Sequence, residues 1–279
     1  MFAAALLLFA GGFVVALLNL PEVEQDPRWE LIAVVALVGV PLTLVLNAAE
    51  YQVAAAVAAY KVSFPAALRV GYLATAANML PIPGAILVRA HALRRLGGSY
   101  GRIALSTGIV GLCFVGMTCA LASGVLIASD ELVVGGVLAA AGLALLMLAF
   151  VLLKLERTSL ASLRLLLAAC VRASAAIAVK AGRLYLLLLA FGYDAGATQA
   201  LTLTVAAVIA TTLGFFPGGL GAAEALAAAF SPLVGLSASV GFVVSAVDRL
   251  ISMVGLAVIG GVAYVVARRR ETPGSAEAS

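Results

Sequence analysis

The sequence predicts an all-α polytopic membrane protein, with about six transmembrane helices and two re-entrant broken-helix pairs in an inverted repeat. Its 279 residues are 64% hydrophobic and 11% charged, whereas a soluble domain is about 45–50% apolar and about 25% charged. The apolar runs are long and unbroken, which excludes a barrel of alternating strands of about 10 residues. We therefore expect one membrane domain over residues 1–270 and a short, polar, disordered cytoplasmic tail over 271–279.

Few residues of the reactive and metal-binding types occur. The three cysteines, Cys113, Cys119 and Cys170, lie inside apolar stretches without the spacing of a disulfide framework or zinc site, and the single histidine is His91. A net charge of +4 in a membrane protein indicates basic cytoplasmic loops rather than nucleic-acid binding. The sequence predicts no catalytic constellation, no metal and no cofactor, and no P-loop for ATP.

The first two predicted spans precede the first break. Segment 1–20 is apolar but has neither a basic leading region nor a clear cleavage site, so we expect a retained helix rather than a secretory signal. The second span runs from about Trp29 to Glu50, and its helix extends toward Tyr60. Trp29 suits an anchor at the membrane interface.

Two later segments are too interrupted to span alone. In 64–96, a helix to Met79 meets Leu80-Pro81-Ile82-Pro83-Gly84 and a short helix follows to Leu96. In 197–232, an apolar half to Gly214 meets Phe215-Phe216-Pro217-Gly218-Gly219-Leu220-Gly221 before the short helix 222–230. Proline stops a helix, and exposed backbone is not tolerated against lipid, so each segment predicts a re-entrant pair.

The remaining predicted spans are 103–128, 132–153, 173–191 and 236–266. A basic stretch from Lys154 to Arg172, with room for an interfacial helix, separates the third of these from the second. With the N-terminus in the cytoplasm, almost all basic residues face the cytoplasm and the outer loops hold one, Arg28. This asymmetry predicts an inner (plasma) membrane protein with both termini cytoplasmic, and it places the two breaks in opposite orientations, as in an inverted repeat.

Charged residues inside the membrane are costly and are therefore candidates for function. Six such residues stand out: Arg89, Lys180, Arg183, Glu224, Asp248 and Arg249. Plainer interpretations stay open for each. Glu224 suits the positive end of its helix, and Asp248 suits a pairing with Arg183 or Arg249. The Lys180 side chain could extend to the membrane surface and keep its charge in water, and Arg89 could simply be one of the basic residues that mark the cytoplasmic side.

A functional interpretation joins these residues. Helix N-termini at the two breaks and the arginines suit a phosphate group, glycines allow close approach to the backbone, and Glu224 suits a cationic group or a coupling proton. The residues predicted to bind the substrate are Asn78, Pro83, Gly84, Arg89, Arg183, Pro217, Gly218, Gly219, Gly221, Glu224, Asp248 and Arg249. This pattern predicts an anionic lipid headgroup as the ligand.

Three motifs stand in the sequence: Asn78-Met79-Leu80-Pro81-Ile82-Pro83-Gly84, Phe216-Pro217-Gly218-Gly219-Leu220-Gly221-Ala222-Ala223-Glu224 and Val247-Asp248-Arg249-Leu250. Together they resemble the signatures of the lysylphosphatidylglycerol synthase transmembrane-region (flippase-like) family. That resemblance implies lipid translocation, and it implies that Glu224, Arg249 and Arg89 occupy the positions of functional residues in the family. One departure is Ala85, because relatives often have a glutamate after the glycine. The tail after Arg270 is too short for a synthase domain, so we expect no synthase activity in this chain.

Three functions fit the sequence unequally. The favoured one is a flippase for an anionic or aminoacylated phospholipid, or for a polyprenyl-phosphate-linked lipid. The alternative is a non-transporting membrane partner of a lipid-modifying enzyme or glycosyltransferase. A lipid phosphatase is less favoured, because the second break offers Glu224 alone, without a second acid or a serine from Pro217 to Glu224.

Overall fold

The computed structural model describes residues 27–78, 84–128, 132–156, 159–213 and 221–271, and the regular elements in this part of the chain are all helical. The first, α1, spans Trp29–Val57 and contains a π-helical turn at Val35–Gly39. The others are α2 (Phe64–Ala77), α3 (Gly84–Arg95), α4 (Tyr100–Ala128), α5 (Leu132–Glu156), α6 (Ser159–Ala190), α7 (Ala197–Leu213), α8 (Ala222–Phe230) and α9 (Ala238–Glu271). A 3₁₀ turn, Ser231–Val234, follows α8.

Five of these helices are long and apolar enough to cross a membrane. The membrane-length stretches are Trp29–Val57, Tyr100–Ile127, Leu132–Leu155, Leu160–Ala190 and Ala238–Ala263. They confirm an all-α, multi-pass integral membrane protein and match five of the predicted spans. The sixth predicted span, 1–20, lies outside the described residues.

Helix α6 differs from its prediction. The sequence suggested a basic stretch to Arg172 and a separate span from 173, whereas Ser159–Ala190 is one helix of 32 residues, about 48 Å long at 1.5 Å per residue. The reason is that hydropathy reports which residues suit lipid, while helix continuity depends on the backbone. Arg172 is buried against protein in mid-helix, so its charge marks an internal contact rather than a helix end.

Both predicted broken segments are pairs of short helices. Helices α2 and α3 have 14 and 12 residues, and α7 and α8 have 17 and 9, fewer than the roughly 20 needed to span. The members of each pair pack against each other. Gly84 allows the first contact, because a Cβ there would collide with the Ala77 carbonyl. The re-entrant course and the inverted repeat stay predictions.

Helix α1 approaches α6 and α9 closely at two glycines, and these contacts hold together the helices that carry the site. A Cβ on Gly39 of α1 would lie 2.8 Å from Cγ of Arg183 on α6. A Cβ on Gly255 of α9 would lie 3.0 Å from Cγ1 of Val40 on α1. These glycines leave room for the Arg183 and Val40 side chains between the helices, since small residues permit close approach of helices in membranes.

We expect Gly241→Ala to destabilise the packing of α9 against α8. A Cβ at Gly241 would lie 2.6 Å from the Ala227 carbonyl oxygen and would collide with Ser231 Oγ. Overpacking of this kind costs about 1–3 kcal/mol of unfolding free energy, which a lowered midpoint of thermal unfolding in detergent would reveal. The matched control is Gly261→Ala in the same helix, where nothing lies within 4 Å of the added Cβ. Equal midpoints for the two variants would contradict the packing argument.

Candidate functional site

Among the described residues, three clusters of ion pairs connect the helices, and the first joins α6 to α9. Asp248 pairs with Lys180 and with Arg183, whose Nη2 lies 2.6 Å from Asp248 Oδ1. The side chains of Asp248 and Arg183 are only 1% and 5% exposed, while that of Lys180 is 31% exposed. One carboxylate therefore serves two cations in the protein interior.

Arg183 also ties α6 to α1. Its Nη1 donates to Thr43 Oγ1 at 3.1 Å, and its Nη2 donates to the Asp248 carbonyl at 3.1 Å and to Ser252 Oγ. Gly39 leaves room for its methylene groups. The Arg183 guanidinium therefore links α1, α6 and α9.

The second cluster joins α8 to α9. Arg249 Nε lies 2.6 Å from Glu224 Oε1, and the Glu224 side chain is fully buried. Glu224 Oε2 accepts a hydrogen bond from the Gly221 N–H at 2.9 Å, which caps α8. Gly221 has a φ of +80°, a conformation that glycine adopts without strain. Glu224 thus combines the capping that its position suggested with a buried ion pair.

The third cluster joins α1, α3 and α6. Glu50 Oε1 forms an ion pair with Arg89, and Glu50 Oε2 forms one with Arg172, whose Nη1 lies 2.5 Å away. The Arg172 side chain is 5% exposed, and its guanidinium carbon lies 5.3 Å from the centroid of the Phe114 ring. A cation over an aromatic face is attracted by the ring quadrupole, so Phe114 helps to fix the guanidinium.

The three clusters border one cavity of about 240 Å³. Its charged lining residues are Glu50, Arg172, Lys180 and Arg249. Its other polar lining residues are Thr43, Asn47, Thr211 and Ser245. This volume is slightly below the range of about 300–1,000 Å³ that is typical of small-molecule pockets.

The charges of the clusters do not balance. Five cations, Arg89, Lys180, Arg172, Arg183 and Arg249, face three carboxylates, those of Glu50, Glu224 and Asp248. The site therefore carries a formal excess of two positive charges. Charges between membrane helices are expensive to leave unbalanced, so the cavity favours an anion.

The other predicted residues are distributed differently. Asn78 is exposed at the end of α2 and lines no part of the cavity described here. Gly84 serves the packing of α2 against α3, and Gly221 precedes α8. Pro83, Pro217, Gly218 and Gly219 lie outside the described residues. The substrate-binding role of the whole set stays a prediction.

Two charged residues of the site were not among the predicted ones. Glu50 stood at the end of a predicted span and Arg172 in the basic stretch before another. A signal was present in the helical phase, because Thr43, Asn47 and Glu50 follow each other at intervals of four and three residues. Such spacing places polar side chains on one face of a helix, and Glu50 continues that face.

In the described part of the chain, five membrane-length helices and a cavity with charged lining residues define a multi-pass integral membrane protein with a polar site among its helices. The family model described as "Lysylphosphatidylglycerol synthase TM region" matches residues 1–260. The chain therefore belongs to this family, as its Pro-Gly motifs predicted, and the family indicates a function related to membrane lipids. A search of curated proteins found no match to the chain.

Proposed function

We propose that the protein translocates a lipid with a phosphate-containing, anionic headgroup between the leaflets of the inner (plasma) membrane. The substrate class comprises anionic or aminoacylated phospholipids and polyprenyl-phosphate-linked lipids. The observation that carries the proposal is the positive excess around the cavity, where Arg172, Lys180 and Arg249 contribute to the lining. Both termini lie in the cytoplasm in this proposal.

A headgroup loses its hydration when it leaves the membrane surface, and fixed cations offset that loss. Two opposite unit charges about 4 Å apart attract by about 1 kcal/mol in water, but by about 4 kcal/mol at an effective dielectric constant near 20. Arginines add bidentate hydrogen bonds to phosphate oxygens. The acyl or prenyl chains remain in the bilayer while the headgroup occupies the cavity.

The arrangement of the carboxylates supports a carrier rather than an enzyme. Glu50, Glu224 and Asp248 each pair with at least one cation. A general base must be free to accept a proton from the reacting group, and these pairings oppose that role. We propose binding and release of an intact lipid, driven by a gradient or by a coupled ion.

Translocation in proteoliposomes tests the proposal. Labelled phosphatidylglycerol, aminoacyl-phosphatidylglycerol and a polyprenyl phosphate would be placed in one leaflet, beside a neutral glycolipid that lacks phosphate. We expect at least one phosphate-bearing lipid to cross at least tenfold faster than in protein-free vesicles, while the glycolipid stays at the protein-free rate. Equal acceleration of every lipid would indicate general membrane disturbance. No acceleration by folded protein would instead favour a non-transporting partner of a lipid-modifying enzyme or glycosyltransferase.

A further inference from the structure

The Arg172 guanidinium has more hydrogen-bond donors than the described residues provide acceptors for. Its Nη1 donates to Glu50 Oε2 at 2.5 Å. Its Nε and Nη2 are buried and have no hydrogen-bond partner among the described residues, and the side chain is 5% exposed. A buried donor without an acceptor is costly, and here the deficit falls on a charged group.

The two unpartnered nitrogens form one edge of the guanidinium. Nε–H and one Nη2–H point in parallel, and this fork matches two oxygens bonded to the same atom, as in a phosphate or a carboxylate. The Phe114 ring lies against the same guanidinium, which adds a cation–π attraction that favours this position. Arg89, on the other side of Glu50, also has a buried Nε without a partner.

Glu50 occupies the position that an oxyanion would take between these arginines. Its two carboxylate oxygens receive one guanidinium each, Arg89 on Oε1 and Arg172 on Oε2. Two positive charges thus share one negative charge. Glu50 is 20% exposed and lines the cavity, as Arg172 does. Arg89 reaches the same carboxylate from α3, so a ligand that takes the place of this carboxylate contacts both arginines.

We infer that Arg89 and Arg172 form a phosphate-binding subsite in which the Glu50 carboxylate is the resident competitor that a phosphate ester displaces. A phosphate bound there receives both guanidinium groups and supplies acceptors that the Glu50 carboxylate leaves unmatched. The displaced carboxylate moves toward the cavity. This inference rests on the proposed function only in taking a lipid headgroup as one source of the phosphate.

Binding measurements on the purified, full-length protein test the subsite without translocation. The probes are glycerol phosphate in solution, for detergent-solubilised protein, and phosphatidylglycerol in nanodiscs, compared with nanodiscs of the neutral glycolipid. Glu50→Gln keeps the shape of the side chain but removes the competing charge. We expect it to raise the affinity for phosphate esters at least tenfold.

Arg172→Lys keeps the charge and removes the fork, and we expect an affinity at least tenfold below that of the wild type. The double variant Glu50→Gln/Arg172→Lys should lose the gain of the single Glu50 variant. Arg164→Lys is the matched control, because Arg164 is exposed on the same helix, and it should bind like the wild type.

The outcomes separate the sources of the ligand. Binding of both probes with the same dependence on Glu50 and Arg172 identifies the phosphate group itself as the ligand. Binding of phosphatidylglycerol alone with that dependence identifies a lipid-anchored phosphate. Unchanged affinity in Glu50→Gln, or equal affinities in Arg172→Lys and Arg164→Lys, would overturn the subsite.

Two further results keep the test decisive. Should Glu50→Gln fail to give a monodisperse protein, the comparison of Arg172→Lys with Arg164→Lys still decides. Should Arg172-dependent binding occur without translocation of any lipid, the subsite stands and the proposed transport fails.

Discussion

Asp248→Ala is expected to lower the free energy of unfolding by about 3–5 kcal/mol, the cost of breaking a buried ion pair from one side. The variant leaves Lys180 and Arg183 without their carboxylate, and the Arg183 side chain is only 5% exposed. Arg183 keeps its hydrogen bonds to Thr43 and to the backbone carbonyl of residue 248, but these neutral acceptors do not balance its charge. Thermal unfolding in detergent, followed by the loss of monodisperse protein, measures the effect.

Two variants control this experiment. Asp248→Asn keeps the size of the side chain and an acceptor, so its loss should be smaller than that of the alanine variant. Asp194→Asn removes the same charge from an exposed loop position between α6 and α7, and its midpoint should stay close to the wild type. If Asp248→Ala unfolds at the same temperature as Asp194→Asn, the cluster does not stabilise the fold.

Arg249→Ala is expected to reduce translocation to the rate of protein-free vesicles while the protein still folds. Arg249 lines the cavity and is 20% exposed in its side chain, so its loss removes a cation that the headgroup would meet. The substitution also leaves the fully buried Glu224 carboxylate without this partner. We therefore expect a lowered unfolding midpoint in addition to the loss of transport.

A double variant separates these two effects. Glu224→Gln/Arg249→Gln removes both charges, and replacing a buried pair as a unit is far less costly than removing one partner. It should recover most of the stability of the wild type without recovering translocation. Arg102→Ala, at an exposed position near the start of α4, is the control for loss of a positive charge. Wild-type rates in the double variant would exclude Glu224 and Arg249 from the transport site.

Much of the fold was predictable because each element has a local signal in the sequence. Long apolar runs gave the five membrane-length helices, and prolines with glycines marked the two interrupted segments. The continuity of α6 was not predictable from hydropathy, because a buried Arg172 lowers the apolar average in the same way as a loop residue. Whether a residue such as Arg172 contacts protein or lipid depends on the tertiary structure, which the hydropathy of the sequence does not report.

Several charged residues of the site could be predicted from the sequence, but their pairings only in part. Arg183, Asp248, Arg249 and Glu224 stood out because charges are rare in membrane helices. The pairing of Asp248 with Arg183 was one of the alternatives, whereas the participation of Lys180 reflects the packing of α6 against α9. Glu50 escaped prediction because it lay at the end of an apolar run, where a charge needs no explanation.

The distribution of the ion pairs has a mechanical consequence. In the described part of the chain, α6 is bound by charge to α1 through Glu50 and to α9 through Asp248, so these three long helices form a braced frame. Each short-helix pair is joined to that frame by an ion pair, α3 by Arg89–Glu50 and α8 by Glu224–Arg249. A ligand that competes with Glu50 for Arg89 and Arg172 would therefore release α3 and loosen the α1–α6 contact together. A ligand that competes with Glu224 for Arg249 would release α8 from its ion pair and leave the pairs among α1, α6 and α9 in place.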